Sequence, residues 1–271
     1  MKNKYQFLEV ADKKLHIKQL FSDDPKANQR PTIVFLHEGL GCIALWKDFP
    51  ERVVAATGCH VLIYERQGYG LSDTLDLPRP DNYLEIEATK YLPKLLEQLD
   101  IKKPIIIGHS DGGTIAIQYA AQYPTTAIIS LAGHIYVEDK TVAGIEEARA
   151  RSEQIIPKLK KYHGDKTETI FWAWPDTWLQ PSYKLWNVAN ILPAISCPAL
   201  ILQGKQDEFA TDQQALDIAE GIRTETACVF LDNCGHVPHV QAKEVTLKHC
   251  IDFVLEQLKQ IAHQTKLEAT K

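Results

Sequence analysis

One short segment constrains the fold more than any other part of the chain: the residues from Ile105 to Gly113, which read IIIGHSDGG. The β-branched run predicts a buried strand, and the small and apolar residues after it have helical spacing. Ser110 stands at the junction, between Gly108 and Gly112. Because small residues let a strand and a helix approach closely, the pattern predicts a sharp turn that presents Ser110 in a strained backbone conformation.

This turn gives Ser110 the setting of a catalytic nucleophile. The predicted helix begins at Asp111, so its unpaired N–H groups and the positive end of its dipole point at the serine and at any oxyanion that forms there. A Gly-x-Ser-x-Gly match is weak alone, but the strand before it and the helix after it supply the context that the motif requires. We therefore interpret Ser110 as the nucleophile.

Composition excludes several classes of partner. The chain has 271 residues, 45% of them hydrophobic, which is enough for a large core. Its 30 basic and 35 acidic residues include no basic run that would follow a phosphate backbone, so we expect no nucleic-acid partner. No run approaches the roughly 20 apolar residues of a membrane span, and no signal-peptide core is visible. We expect a soluble cytoplasmic protein with no membrane partner; its oligomeric state is left open.

The cysteines do not suggest a metal or redox site. All six are scattered through the chain without C-x-x-C spacing. Buried free thiols are the simpler interpretation, and we predict no metal site.

Strands and helices alternate along most of the chain, which predicts an α/β fold with a mostly parallel sheet and helices on both faces. Residues 5–21 alternate between apolar and polar and predict an antiparallel hairpin. Continuous apolar runs, typical of strands buried on both faces, occupy residues 32–37, 60–64, 105–107, 126–131, 199–204 and 227–231. Helical spacing is found at residues 46–56, 83–99, 111–123, 215–221 and 243–262, with a kink at Pro93 and a frayed tail after residue 262.

The alternation stops between residues 134 and 195, where charged helical sequence leads into an aromatic-rich stretch. Four of the five tryptophans fall there. We interpret residues 134–195 as a helical cap inserted into a core domain made of residues 1–133 and 196–271. Its aromatic side chains could line an apolar substrate pocket or hold the cap to the core, and the substrate-binding candidates are Trp172, Trp174, Trp178, Tyr183 and Trp186.

Polar residues follow several predicted strands at one edge of the sheet. The segment from His37 to Gly41 ends the first buried strand, and its glycines can turn backbone N–H groups toward an anion. Asp207 follows one late strand and His236 follows the next. A serine needs a base, and a histidine oriented by a carboxylate has a suitable pKa. These two side chains and Ser110 are therefore predicted to meet.

At these residues the sequence resembles the α/β-hydrolase fold family, whose serine, acid and histidine follow in the same chain order. The matches are at residues 37–41, 108–112, 204–207 and 235–236. The resemblance implies that Ser110 is the nucleophile, His236 the general base and acid, and Asp207 the orienting carboxylate. It also implies that Gly39 and Asp111 supply the oxyanion N–H groups.

The chain departs from the family pattern beside the nucleophile and in the first loop. Family members often have glycine where this chain has Glu38, so either Glu38 or Gly39 could aim the second amide, and Glu38 becomes a candidate for substrate contact. Asp111 is unusual directly after the nucleophile, although an acid in the first turn suits the helix dipole. Glu208 is an alternative to Asp207 as the acid, and Asp232 is interpreted as a turn residue.

Other polar residues near this edge have structural interpretations. His37 is expected to buttress its loop, and His109 to pack or to bond a backbone group. His134 and His239 are further neighbours without an assigned role. In the loop after the second buried strand, Arg66 is expected to act as a brace.

The reaction implied is hydrolysis of a small-molecule carboxylic ester or lactone with an apolar acyl or aryl group, without a cofactor. A serine at the turn argues against the dehalogenase and epoxide-hydrolase branches. The sequence is similar to capped acyl-homoserine lactonases and to enol-lactone and meta-cleavage hydrolases. Two alternatives stay open: a carbon–carbon hydrolase, whose cationic clamp could only be Arg66 or Arg149, and a non-catalytic binding protein on the same fold.

Overall fold

The computed structural model describes residues 1–269, and for residues 265, 266, 268 and 269 it describes the backbone alone. Its strands are β1 (Lys2–Val10), β2 (Lys13–Phe21), β3 (Ile33–Leu36), β4 (Val61–Tyr64), β5 (Ile105–His109), β6 (Ala127–Leu131), β7 (Ala199–Gly204) and β8 (Thr226–Leu231). They form one sheet in the order β1-β2-β4-β3-β5-β6-β7-β8. β2 is antiparallel to β1 and to β4, and all other neighbours are parallel. The predicted hairpin and mostly parallel sheet are confirmed.

Burial on both faces explains the continuous apolar runs. Along β3, Ile33 and Phe35 pack into one hydrophobic cluster, whereas Val34 and Leu36 pack into the other. Successive side chains of a strand point to opposite faces of the sheet. A strand with helices on both sides must therefore be apolar at every position, and all four residues of β3 are buried.

Helices cover both faces of the sheet. They are α1 (Phe49–Thr57), α2 (Tyr83–Ile86), α3 (Leu92–Gln98), α4 (Asp111–Ala120), α5 (Asp139–Ala150), α6 (Ser152–His163), α7 (Thr167–Trp178), α8 (Asp212–Gly221), α9 (Pro238–Gln241) and α10 (Lys243–Ala269). Buried residues of α1 and α10 form one cluster with the sheet, and those of α3, α4 and α8 form the other. Short 3₁₀ turns occupy Ala27–Gln29, Ile43–Trp46, Gly164–Lys166, Tyr183–Leu185 and Ala189–Ala194.

Some helix boundaries differ from the sequence predictions. The first predicted helix begins as the 3₁₀ turn Ile43–Trp46, and α1 starts at Phe49 with Pro50 in its first turn, where a missing N–H costs nothing. The last helix is longer than predicted, because α10 continues past residue 262 to Ala269, whereas the fraying of this end stays a prediction. The helix-favouring residues of that stretch explain the extension. Residues 270 and 271 lie outside the described chain.

The predicted kink at Pro93 takes the form of a π-helical turn. Glu87–Tyr91 is π-helical and separates α2 from α3, in which Pro93 lies in the first turn. Pro93 has no N–H for the carbonyl of Thr89. The Tyr123 hydroxyl donates to that carbonyl at 3.1 Å instead.

Residues 134–195 leave the sheet after β6, form α5, α6 and α7, and return before β7. His163, at the end of α6, accepts a hydrogen bond from the Gly70 N–H at 2.9 Å and donates one to the Leu40 carbonyl at 3.1 Å. Both partners belong to loops that follow strands of the sheet, β4 and β3. The segment therefore rests on the carboxyl edge of the sheet. Its boundaries as a cap domain stay a prediction.

Residues 1–269 contain neither a membrane-spanning helix nor a cluster of metal-binding side chains. No helix there is both long enough and apolar enough to cross a bilayer. No group of three or more His, Cys, Asp or Glu side chains is arranged to hold a metal ion.

Candidate active site

Ser110 lies in a sharp turn between β5 and α4, with φ 52° and ψ −116°. A side chain in this region of backbone space is strained, and such strain persists only where the surroundings enforce it. A Cβ on Gly108 would lie 2.0 Å from the Gly112 carbonyl oxygen, and one on Gly112 would lie 2.0 Å from the Leu36 carbonyl oxygen. The two glycines therefore permit the close packing of strand and helix that creates the turn.

Ser110, His236 and Asp207 form one hydrogen-bonded chain. The Ser110 hydroxyl lies 2.9 Å from His236 Nε2, and His236 Nδ1 lies 2.9 Å from each carboxylate oxygen of Asp207. Asp207 is 1% exposed and also accepts a hydrogen bond from the Phe209 N–H at 2.8 Å. An ionised carboxylate can only accept, so Nδ1 of His236 carries the proton and Nε2 is free to accept from the serine.

The Asp207 carboxylate controls the charge state of His236. Burial acts to lower the pKa of His236, but the adjacent Asp207 outweighs it and the pKa is raised above its ordinary value. Burial acts to raise the pKa of Asp207, but His236 outweighs it and that pKa is lowered. A charged imidazole is therefore stabilised between Ser110 and an ionised carboxylate.

The alternative acid, Glu208, has a different partner. Its Oε2 accepts a hydrogen bond from the backbone N–H of His236 at 3.1 Å, whereas Asp207 contacts the imidazole. Asp232 forms an ion pair with Lys205 at 2.8 Å on the surface. Of these three acids, Asp207 is the one that contacts the His236 ring.

The loop after β3 fixes the orientation of the Gly39 N–H. The Glu38 carbonyl accepts hydrogen bonds from His37 Nδ1 at 2.7 Å, from Arg66 Nη2 at 2.9 Å and from the Gly41 N–H at 3.1 Å. In a trans peptide the C=O and N–H point in opposite directions. These bonds therefore turn the Gly39 N–H away from the buried guanidinium of Arg66.

Arg66 joins this loop to the start of α4. Its Nη1 donates to the His37 carbonyl at 2.8 Å, and its Nη2 lies 3.3 Å from the Asp111 carboxylate. Asp111 is 2% exposed and also accepts from the Tyr83 hydroxyl at 2.9 Å. As the first residue of α4, Asp111 has an N–H without a partner inside the helix. Arg66 acts as the brace that the sequence suggested, and it spans both proposed oxyanion segments.

The Glu38 carboxylate lies beside Gly41 and faces His109. Its Oε2 lies 3.5 Å from His109 Nδ1, while His109 Nε2 donates to the His236 carbonyl at 2.6 Å. Burial acts to raise the pKa of Glu38, but His109 outweighs it and the pKa is lowered well below its ordinary value. Glu38 therefore places a negative charge beside His109, which in turn is bonded to the backbone of His236.

Two other histidines near this edge are buried. His134 has its ring centroid 5.7 Å from that of His236 and 5.5 Å from that of Trp178. His239 packs between His109 and Trp46. Burial lowers the pKa of His134 and of His239 to about 3, so both are neutral near pH 7.

Among the predicted aromatic residues, Trp174 lies nearest to the oxyanion loop. A Cβ on Gly39 would lie only 3.1 Å from the indole of Trp174, and the Trp174 ring centroid is 5.9 Å from that of Phe209. Phe209 in turn lies 4.7 Å from the His236 ring. Trp178 reaches Asp111 through Tyr83: the Trp178 indole N–H donates to the Tyr83 hydroxyl at 2.9 Å, and that hydroxyl donates to Asp111.

Three of the predicted substrate-binding aromatics lie elsewhere. Tyr183 and Trp186 stack on each other, and both pack against the side of Trp178, so they form a layer behind it. Trp172 lies on the outer side of α7, 36% exposed, with the Arg149 guanidinium 6.0 Å from its ring. On the same helix, Trp178 is buried in the core and Trp174 packs against it. Trp172 therefore lies at the surface, and its role in substrate binding stays a prediction.

Sequence reasoning missed three residues near the site. Phe209 follows the acid by two positions, a weak signal that could have been used. Tyr83 reaches Asp111 from α2, and Arg79 stacks on the Tyr83 ring at 3.8 Å. No spacing in the sequence connects Arg79 or Tyr83 with Ser110, because their proximity is created by the fold.

The mostly parallel sheet, the serine turn after β5 and the contacts of Ser110 with His236 and of His236 with Asp207 define the class of protein to which the chain belongs. The family model described as the alpha/beta hydrolase family matches residues 33–247, and the chain belongs to this family. It is 31% identical over 157 residues to human serine hydrolase BPHL, covering 54% of this chain and 53% of that protein. The chain thus spans about half the length of this curated relative.

Other similarities extend along nearly the whole chain. The 2-hydroxy-6-oxo-6-phenylhexa-2,4-dienoate hydrolase of Burkholderia cepacia is 20% identical over 279 residues, covering 92% of this chain and 96% of that protein. The crystal structure of the enol-lactonase from Burkholderia xenovorans LB400 has a TM-score of 0.70 at 19% identity, covering 92% of this chain and 99% of that one. At this level of identity the structural likeness shows the fold alone.

Proposed function

We propose that the protein is a serine hydrolase that cleaves a carboxylic ester or a lactone through an acyl-enzyme. The observation that carries the proposal is the hydrogen-bonded chain from the Ser110 hydroxyl through His236 to Asp207, with both links at 2.9 Å. A non-catalytic binding protein has no need of this complete arrangement, nor of a strained serine at its end.

The reaction follows from these contacts. Ser110 Oγ attacks the carbonyl carbon while its proton passes to His236 Nε2, and the carbonyl electron pair becomes an oxyanion. The N–H groups of Gly39 and Asp111 are proposed to hold that oxyanion. When the tetrahedral adduct collapses, His236 returns the proton to the leaving alkoxide, which a lactone retains within the same molecule. Water, deprotonated by His236, then attacks the acyl carbon; as the bond to Ser110 Oγ breaks, His236 returns the proton to Ser110 and the acid is released.

The substrate is proposed to carry an apolar acyl or aryl group. Trp174 and Phe209 place aromatic surface next to Gly39 and His236, and buried aromatic surface favours apolar ligands. Glu38 contributes to the raised pKa of His236, and we propose that it stabilises the charged imidazole rather than contacting substrate.

Active-site labelling tests the class of reaction. A fluorophosphonate probe should label the wild-type protein and the Ser182→Ala control, in which an exposed serine is removed, but not Ser110→Ala. Substrate class is then measured as kcat/KM for p-nitrophenyl esters from acetate to dodecanoate and for N-acyl homoserine lactones of matching chain length. A folded protein that stays unlabelled and turns over none of these substrates would refute the proposal.

A carbon–carbon hydrolase is the second candidate, because the Burkholderia cepacia relative aligns over nearly the whole chain. The two arginines considered from the sequence are unsuited to clamp a substrate carboxylate. Arg66 is bonded to Asp111 and to two carbonyls, and Arg149 is exposed beside Asp176. Turnover of a 2-hydroxy-6-oxo-dienoate above that of every ester in the panel would favour this candidate.

A further inference from the structure

A concavity lies next to Tyr83, whose hydroxyl donates to Asp111. It occupies about 230 Å³ between the loop after β4 and the helices that begin at Tyr83. Leu75 and Ile86 are among the apolar lining residues, and the cationic ones are Arg66, Arg79 and Lys90, of which Lys90 is paired with Asp12. This cavity can hold a compact organic molecule but is too small for a long acyl chain.

Arg79 is held in this wall without a carboxylate partner. It is 9% exposed, its Nε donates to the Thr177 hydroxyl at 3.1 Å, and its Nη1 donates to the Tyr69 hydroxyl at a long 3.4 Å. Its guanidinium stacks on the Tyr83 ring at 3.8 Å. Its Nη2 is buried and has no hydrogen-bond partner among the described residues, and none of the ion pairs formed by these residues includes Arg79. A buried cation in this condition is costly unless an anion accompanies it.

The acidic groups around the cavity already have other partners. Asp111 accepts from Arg66 and from Tyr83. Glu87 accepts from the Tyr64 hydroxyl at 2.6 Å. At the rim, Asp12 and Asp76 are paired with lysines at 2.8 and 2.7 Å. None of these carboxylates contacts the Arg79 guanidinium, whereas the equally buried Arg66 has a carboxylate and two carbonyls.

We propose that this cavity binds the carboxylate of a small, largely apolar organic acid, with Arg79 as the anion-binding group and the Tyr69 hydroxyl as its neighbour. The planar guanidinium matches a carboxylate in charge and geometry. Tyr83 connects the cavity to the nucleophile's neighbour, because its ring carries Arg79 and its hydroxyl donates to Asp111. The acid is either a free ligand or the charged end of the substrate. A carboxylate at the end of the substrate rests on the proposed function, whereas a free ligand does not.

Binding is measured first, by calorimetry on Ser110→Ala, which cannot turn over a substrate. Benzoate should bind at least about tenfold more tightly than benzamide, its uncharged match. Arg79→Met should abolish that difference, while Arg149→Met, which removes an arginine exposed on an aromatic ring, should preserve it. Arg79→Met loses an unpaired buried charge and should remain folded, which its melting temperature checks. Tyr69→Phe provides a milder second variant, with benzoate weakened about threefold.

Equal binding of benzoate and benzamide, or benzoate binding that survives Arg79→Met, would overturn the proposal. Turnover then identifies the source of the carboxylate, using p-nitrophenyl hemiglutarate and p-nitrophenyl pentanoate as a matched pair. A substrate-borne carboxylate predicts competitive inhibition by benzoate and a preference for the hemiglutarate that Arg79→Met removes. If the acid is a free ligand, bound benzoate should change kcat/KM by the same factor for both esters. If neither ester is turned over while benzoate binds through Arg79, the proposed function fails and the anion site stands.

Discussion

The ends of the central strands and the helical segment of residues 134–195 meet at the candidate site, but different forces position them. Ser110, Asp207 and His236 lie one, three and five residues beyond the ends of β5, β7 and β8, and the hydrogen bonds of the sheet fix where those strands end. The helical segment reaches the core through side chains, such as His163 on Leu40 and Trp178 on Tyr83.

The difference separates chemistry from recognition. Backbone hydrogen bonds position the strand ends that carry the reacting groups, whereas side-chain packing determines which aromatic residues face them. Substitutions at the strand ends should therefore affect turnover by orders of magnitude. Substitutions in the helical segment should change substrate preference by much smaller factors.

The largest expected effect comes from removing the proposed nucleophile or its base. Ser110→Ala and His236→Ala should each lower kcat by about 10⁵- to 10⁶-fold, and the double variant should be no worse than either, because the groups act as a unit. Steady-state kinetics on the best ester of the panel measures this. Additive losses in the double variant would show that the two side chains act independently and would contradict the mechanism.

Replacing the orienting acid should cost less. Asp207→Asn should lower kcat about 10³- to 10⁴-fold while the protein stays folded, because the amide no longer favours the required tautomer or the imidazolium. Glu208→Gln is the matched control, since its carboxylate accepts only the His236 backbone N–H, and we expect less than about a tenfold loss. The reverse ranking would transfer the acid role to Glu208.

As pH is lowered, the enzyme should lose activity at a higher pH than it loses stability. His236 must be neutral to accept a proton, and its pKa is raised, so kcat/KM should fall about tenfold per pH unit below an apparent pKa above 6.5. The folded pKa values of His134 and His239 are lowered to about 3, so the stability they contribute is present above pH 6.5 and is lost as pH falls toward 3.

Activity and circular dichroism are therefore measured across the same pH series. On acidification the activity should decline first, while the protein is still fully folded. An activity limb that coincides with loss of the folded signal would show that unfolding, and not the charge of His236, limits the rate.

The same contrast explains what the sequence could predict. The sheet, the serine turn and the meeting of Ser110 with His236 and Asp207 follow from local patterns, because apolar runs and glycine spacing specify strands and their ends. Arg79 and Phe209 were missed because their contacts depend on how a loop and a helix pack, which no periodicity reports. Trp172 and Trp174 stand two residues apart on α7, so composition could identify the stretch but not the side that faces the core.

These two tryptophans provide the smallest and most specific prediction. Trp174→Ala should raise KM about five- to tenfold for long-chain esters and less for acetate, because it removes aromatic surface beside Gly39. Trp172→Ala removes the same side chain from the opposite side of the same helix and should leave the whole panel unchanged. If Trp172→Ala raises KM as much as Trp174→Ala, the aromatic residues act by holding the helical segment on the core, and recognition of the acyl group must then be assigned to the strand ends themselves.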